Sequence, residues 1–286
     1  MESSAMQWRG RRGSSNIEDR RGMTTGGAGG IGIVGMLAVL AFGYFFGIDI
    51  SPMVSDVSQQ PTTGEPRELT AEEREIGQFV SVILAETEDV FGQSVREQAG
   101  QDYRDPQMVL YSGVTRSACG GASSQMGPFY CPVDQKVYLD TDFFRVMDQK
   151  MGAGGDLAAA YVIAHEVGHH VQNQLGILPR VTQMRQQATK RDSNYLSVLT
   201  ELQADCFAGM WARNSAQDLR IDRRDLAEAM DAAAAVGDDA LMQSAGRAAV
   251  PDAFTHGSSA DRQEWFMRGF DGGTLASCNT FKAAGL

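Results

Sequence analysis

His165, Glu166 and His169 form an H-E-x-x-H pattern within the run AAAYVIAHEVGHHVQNQ at 158–174. Residue types at this spacing can hold a metal ion and move a proton beside it. On a helix of 3.6 residues per turn, side chains four apart stack on one face with Cβ atoms about 6 Å apart, so both imidazoles can converge on one cation. Glu166 falls roughly 100° around the same helix. That offset suits a general base acting on a water at the metal better than it suits a ligand. Residues 161–164, Val167, Gly168 and Val171 are uncharged, as a helix buried behind a cleft requires. The alternative is an ordinary core helix, but burying His165, Glu166, His169 and His170 in one short stretch is costly without a metal or partners.

A catalytic zinc takes three protein ligands and keeps one position open for water. The chain has only four histidines, His165, His169, His170 and His256, so the third ligand is His256, a carboxylate or a cysteine. The metzincin extension fails, because Gln172 and Leu175 stand where Gly and His are required. Glu201 is the better candidate. It lies in the segment E-L-Q-A-D, so Asp205 follows one helical turn on, placed to accept the outer N–H of a liganding histidine. Leu202, Ala204, Phe207, Ala208, Met210 and Trp211 make this a buried helix, where an unpartnered carboxylate is expensive. His256 stands in a Gly- and Ser-rich turn and reads either as an oxyanion donor or as a structural cap. His170, roughly 140° from His165, reads as a hydrogen-bonded or surface residue and not a ligand.

These residues need elements to hold them. A Thr70/Glu73 capping box opens a helix predicted over 71–98, and residues 106–115 and 136–139 read as strands. After the Gly-rich break at 152–155, Asp156 is placed to cap the motif helix, which should stop near Gly176. Further helices are expected over 193–212, in pieces from Asp222 to the Ala-rich run before Gly237, and over 260–269, where the preceding serines can cap.

Over 286 residues, 43% hydrophobic and 21% charged content is globular, and a net charge of −11 argues against a nucleic-acid partner. Cys119, Cys131, Cys206 and Cys278 include no C-x-x-C pair, which favours two disulfides and an oxidising compartment over four buried free thiols. Four cysteines allow three pairings. Cys119 with Cys131 closes a short loop, and Cys206 with Cys278 ties the tail to a helix, so this pairing is favoured.

The beginning of the chain differs in kind. Residues 1–30 scatter Arg9, Arg11, Arg12, Arg20 and Arg21 among Gly and Ser and read as a disordered, basic, cytoplasmic tail. Residues 31–48 are nearly all apolar, long enough to cross about 30 Å of hydrocarbon, so a transmembrane helix is expected over 31–50. Residues 51–66 read as a linker, and the folded domain spans 67–286. Arginines before the apolar run, and none after it until Arg67, place the N-terminus in the cytoplasm and the body in the periplasm or outside. A cleaved signal peptide and a buried core helix are the competing readings.

H-E-V-G-H-H followed by E-L-Q-A-D-C-F-A-G, with C-G to G-P-F-Y-C-P upstream and F-T-H-G-S-S downstream, resembles the bacterial putative neutral zinc metallopeptidase family over about residues 67–281, with gluzincin-type ligation. The one departure noted is Ser258-Ser259, where a Ser-Thr mixture is common. The resemblance implies a zincin-like α+β fold, with a small sheet beside the motif helix and its edge strand lining the cleft. Resemblance and spacing together lead to a membrane-anchored zinc metallopeptidase acting on a peptide or protein, with one Zn2+ per chain. His165, His169 and Glu201 are the expected ligands, Glu166 the general base, Asp205 the support for an imidazole and His256 the oxyanion donor. An extended substrate is expected to add as a strand near residues 137–140. The rival readings are a non-catalytic envelope scaffold and a hydrolase of cell-wall peptides.

Overall fold

The computed structural model describes residues 6–22, 67–123 and 127–286. The expected transmembrane segment at 31–50 and the linker at 51–66 lie outside the described residues, among which no helix is long and apolar enough to cross a membrane.

The architecture is mixed α+β with a small sheet. Helix α1 (Ala71–Ser94) opens with the expected Thr70/Glu73 capping box and runs into a short π-helix, Val95–Ala99. The main sheet has the order β1 (Ile17–Asp19), β2 (Gln107–Tyr111), β6 (Lys136–Asp140), β5 (Phe129–Cys131). β1, β2 and β6 are parallel, and β5 is antiparallel to β6. The single strand expected over 106–115 is broken at Gly113, whose φ of 81° ends β2. The chain resumes as β3 (Val114–Ser117), which pairs with β4 (Gly120–Ser123) in a separate hairpin. The Cys119–Cys131 disulfide ties that hairpin to β5.

Two sequence readings are corrected here. Residues 136–140 pair with β2 along their whole length and 136–138 also with β5, so Val137 and Tyr138 offer no free edge to a substrate strand. The open edges of the sheet are β1 and β5. The N-terminal stretch is also not a disordered tail over residues 6–22. β1 is part of the sheet, Met6 and Trp8 are each only 2% exposed, and the Trp8 ring meets Phe79 edge-on at 5.3 Å. Its arginines, which suggested solvation, find carboxylates: Arg9 with Glu75, Arg11 with Glu86 and Arg12 with Asp89 on α1, and Arg20 with Glu18 and Arg21 with Asp19 on β1.

Helices build the rest of the site's support. Helix α2 (Asp142–Met151) leads into α3 (Asp156–Gln174), the motif helix, whose Leu157, Ala160, Ile163, Ala164, Val167 and Val171 are buried in the main core. Asp156 is its first residue and not its cap; the cap position is Gly155, and the Asp156 carboxylate accepts the Trp8 indole N–H at 3.0 Å. Helix α4 (Ile177–Gln187) precedes α5 (Lys190–Leu219), which extends well beyond the expected 193–212 at both ends. Then follow α6 (Arg223–Ala235), α7 (Asp238–Ser244), α8 (Ser259–Gly272) and the short α9 (Thr280–Ala283).

Close helix approach is written in three glycines. A Cβ at Gly168 would sit 3.2 Å from the Ala204 carbonyl oxygen, so glycine lets α3 lie tight against α5. At Gly209 a Cβ would meet the backbone of Phe266, and at Gly269 that of Cys206. These reciprocal contacts bring α8 backbone to backbone with α5, and the Cys206–Cys278 disulfide binds the following segment to the same helix.

Candidate metal centre

The α3–α5 contact sets Glu201 opposite the two motif histidines. His165 Nε2 lies 3.2 Å from Glu201 Oε2, and His169 Nε2 lies 3.5 Å from Glu201 Oε1. One donor atom from each of the three residues can be chosen within 4.8 Å of the others. Tetrahedral zinc with bonds of about 2.0–2.1 Å separates its donors by about 3.4 Å, so these residues fit the ion.

Both rings are oriented from behind. His165 Nδ1 is 2.8 Å from Asp205 Oδ1, and His169 Nδ1 is 2.8 Å from Gln172 Oε1. A proton on each Nδ1 satisfies those acceptors and leaves each Nε2 lone pair facing Glu201. Asp205 is itself fully buried and doubly held: Arg262 Nε donates to Oδ2 at 2.8 Å and Nη2 to Oδ1 at 2.9 Å. Tyr161 O–H also donates to Oδ1, at 2.5 Å. Burial pushes the Asp205 carboxyl up, but Arg262 and His165 outweigh it and hold the group at about 2. Gln172 is fixed in turn, donating to the Thr200 carbonyl at 2.7 Å and to Gln203 Oε1 at 3.1 Å.

The electrostatics of the cluster ask for a cation. Burial opposes charge on His165, yet Asp205 and Glu201 overcome it and raise its pKa to about 10. His169 is likewise raised, with Glu201 overcoming burial. Burial works to raise Glu201, but the two histidines hold it well below the usual carboxylate range.

Glu166 differs from every other carboxylate in the cluster. It is 8% exposed, and among the described residues its side chain has no hydrogen-bond or ion-pair partner. Burial raises its pKa, opposed by the neighbouring histidines. A buried, unpartnered carboxylate next to two histidines and a glutamate is what a general base requires and what a structural role would avoid.

His256 is brought to the same region but not into the ligand set. Its turn packs on α5 beside Glu201: a Cβ at Gly257 would lie 3.2 Å from Leu202 and 3.4 Å from Val198. The Asp238 carboxylate gathers this turn, accepting the backbone N–H groups of Thr255, His256 and Gly257 at 2.7, 2.6 and 3.0 Å. Asp238 Oδ1 is also 3.1 Å from His256 Nδ1, which leaves Nε2 free, and half of the ring is exposed. This bond is the main cause of a raised His256 pKa, against burial and with help from Glu201. His170 points elsewhere, with Nε2 2.7 Å from the Arg104 carbonyl and Nδ1 3.2 Å from the Tyr130 hydroxyl.

Sequence reasoning did not find Tyr161, Gln172, Asp238 or Arg262. Two of them carried a local signal, since Tyr161 precedes His165 by one turn and Gln172 follows His169 by one. Arg262 and Asp238 carried none, because their partners are distant along the chain.

The family profile described as putative neutral zinc metallopeptidase matches residues 6–281. The matched region therefore includes the N-terminal segment that the sequence resemblance, starting at 67, had left out. The uncharacterized protein YpfJ of Escherichia coli K12 is 49% identical over 288 residues, covering 96% of this chain and 99% of its own. The uncharacterized Mycobacterium tuberculosis protein Rv2575 is 46% identical over 195 residues, covering 64% of this chain and 65% of its own. No solved structure matches the chain.

Proposed function

Because the chain belongs to the putative neutral zinc metallopeptidase family, we propose that it is a working zinc peptidase, with His165, His169 and Glu201 as ligands and peptide bonds as its target. The observation that carries this reading is Glu166, which among the described residues is the carboxylate of the cluster without a hydrogen-bond or ion-pair partner. Zinc, when bound, supplies a Lewis acid that activates water and polarises a carbonyl at neutral pH. Glu166 takes the proton from that water as the oxygen attacks the carbonyl carbon, and then delivers it to the departing amine. His256, held by Asp238 and with its pKa raised by that bond, donates to the carbonyl oxygen as negative charge builds there. Asp205 and Gln172 keep the imidazole Nε2 atoms turned inward throughout.

Two disulfides among the described residues favour an oxidising compartment, so we place the body outside the cytoplasm, held at a membrane by the apolar run at 31–48. The test is cleavage of an unstructured protein or peptide library by the purified full chain, read by mass spectrometry. Metal-dependent products that vanish in Glu166→Gln while bound metal is retained support the reading. Equal cleavage by Glu166→Gln, or none by the metal-loaded wild type across the library, contradicts it.

A further inference from the structure

The described residues on either side of the apolar run are joined to each other. The Arg67 backbone N–H donates to the Gly22 carbonyl at 3.0 Å, so residues 22 and 67 lie side by side. Upstream of that point, β1 is in parallel register with β2, matching Ile17 with Met108 and Asp19 with Leu110. Trp8 reaches the first residue of the motif helix, and the Gln7 N–H donates to the Leu219 carbonyl at the end of α5 at 2.7 Å.

The body depends on this segment for charge balance as well. Glu88 of α1 is 7% exposed, and its carboxylate is met by Ser14 Oγ at 2.5 Å, Asn16 Nδ2 at 2.8 Å and Arg12 at 3.6 Å. Glu86, 9% exposed, is met by Arg11 at 2.8 Å. Without residues 11–16 these carboxylates lose every one of those partners, which costs far more than leaving surface charges unpaired. The arginines that gave the sequence its positive-inside signal are thus structural partners of the body.

We infer that residues 6–22 and 67–286 form one body on one side of the membrane. A segment whose flanks are joined on one face crosses a bilayer an even number of times. Each crossing by a helix needs about 20 apolar residues, and residues 23–66 contain one such run, followed by polar sequence with Asp56 and Glu65. The two flanks therefore lie on one face, and a single crossing between them would part them. This replaces the single pass with a cytoplasmic N-terminus, because that arrangement would pull β1 out of the sheet.

The four native cysteines are paired, so introduced thiols can be read alone. Ser15→Cys and Gln186→Cys, both at exposed positions, are made separately in the full-length chain. Each is labelled with a membrane-impermeant maleimide in intact spheroplasts and again after lysis, and the intact-to-lysed ratio cancels differences in local exposure. Equal ratios at the two positions are expected. High labelling of Gln186→Cys with labelling of Ser15→Cys only after lysis, or the reverse, overturns the inference. Equal but low ratios uphold it while removing the export reading, so the two fail separately. A second arm uses Gly13→Cys with Ser81→Cys, where the added Cβ would lie 3.4 Å from that of Ser81, close to disulfide range. With a protease site placed in 51–66, the cut chain should stay joined on a non-reducing gel, and separation of the fragments contradicts docking in the membrane-bound protein.

Discussion

Helices α1 and α5 both carry carboxylates out of full contact with solvent, and the company those groups keep is different. On α1, Glu86 and Glu88 are closed by Arg11, Arg12, Ser14 and Asn16. On α5, Glu201 faces only the Nε2 atoms of His165 and His169, groups that can give up a proton and accept a metal. The first arrangement is finished and holds structure. The second is open to exchange, and one turn on, Asp205 is saturated by Arg262, Tyr161 and His165 so that the exchangeable part stays in place. Whether a buried acid serves structure or chemistry is set by whether its partners can be replaced.

Changing the groups on either side tests that distinction. The largest effect is expected at Glu166, which the proposed function makes the general base and not a ligand. Glu166→Gln is expected to lower kcat by about 10²–10⁴ with metal content unchanged; loss of metal in that variant would make it a ligand instead. Next is Asp205→Asn, which leaves Arg262 buried without its charged partner and gives His165 a neutral amide oxygen in place of a carboxylate. Metal affinity should fall about 10–100-fold in competition with a chelator, together with a lowered Tm, and an unchanged affinity would remove Asp205 from the metal's support. Glu88→Gln should do the opposite, lowering stability by about 1–3 kcal/mol in urea unfolding while metal content stays at the wild-type value. Any drop in metal content there would tie the two regions together.

The smallest effect concerns pH. His256 is raised above its ordinary value by the bond to Asp238, so it is charged below that raised pKa and loses its charge as pH rises through it. The alkaline limb of kcat/KM should therefore lie above the ordinary histidine range, move towards it in Asp238→Asn, and vanish in His256→Ala. A limb untouched by both changes would leave His256 as a cap.

The site was legible in the sequence because its chemistry is local. Two histidines one turn apart, a glutamate beside the first, and an acid pair one turn apart are all short-range patterns, and the scarcity of other histidines pointed to Glu201. What was not legible depends on long-range pairing. Arg11 lies far along the chain from Glu86, and Arg262 from Asp205, so arginines among glycines and serines looked solvated and a lone Arg262 looked ordinary. The same limit applied to the sheet. Residues 136–138 carry no mark of being flanked on both sides, and the three residues of β1 are too few to show a period.

The central claim is that three exchangeable donors on α3 and α5 form one metal site. The direct measurement is metal content per chain on the purified full-length protein, because a fragment starting at residue 67 would lack β1. One zinc per chain in the wild type and in Glu166→Gln, with loss in Glu201→Ala at unchanged fold by circular dichroism, is the predicted result. A correctly disulfide-bonded wild type that binds no metal, or a Glu201→Ala variant that keeps a full equivalent, would contradict it.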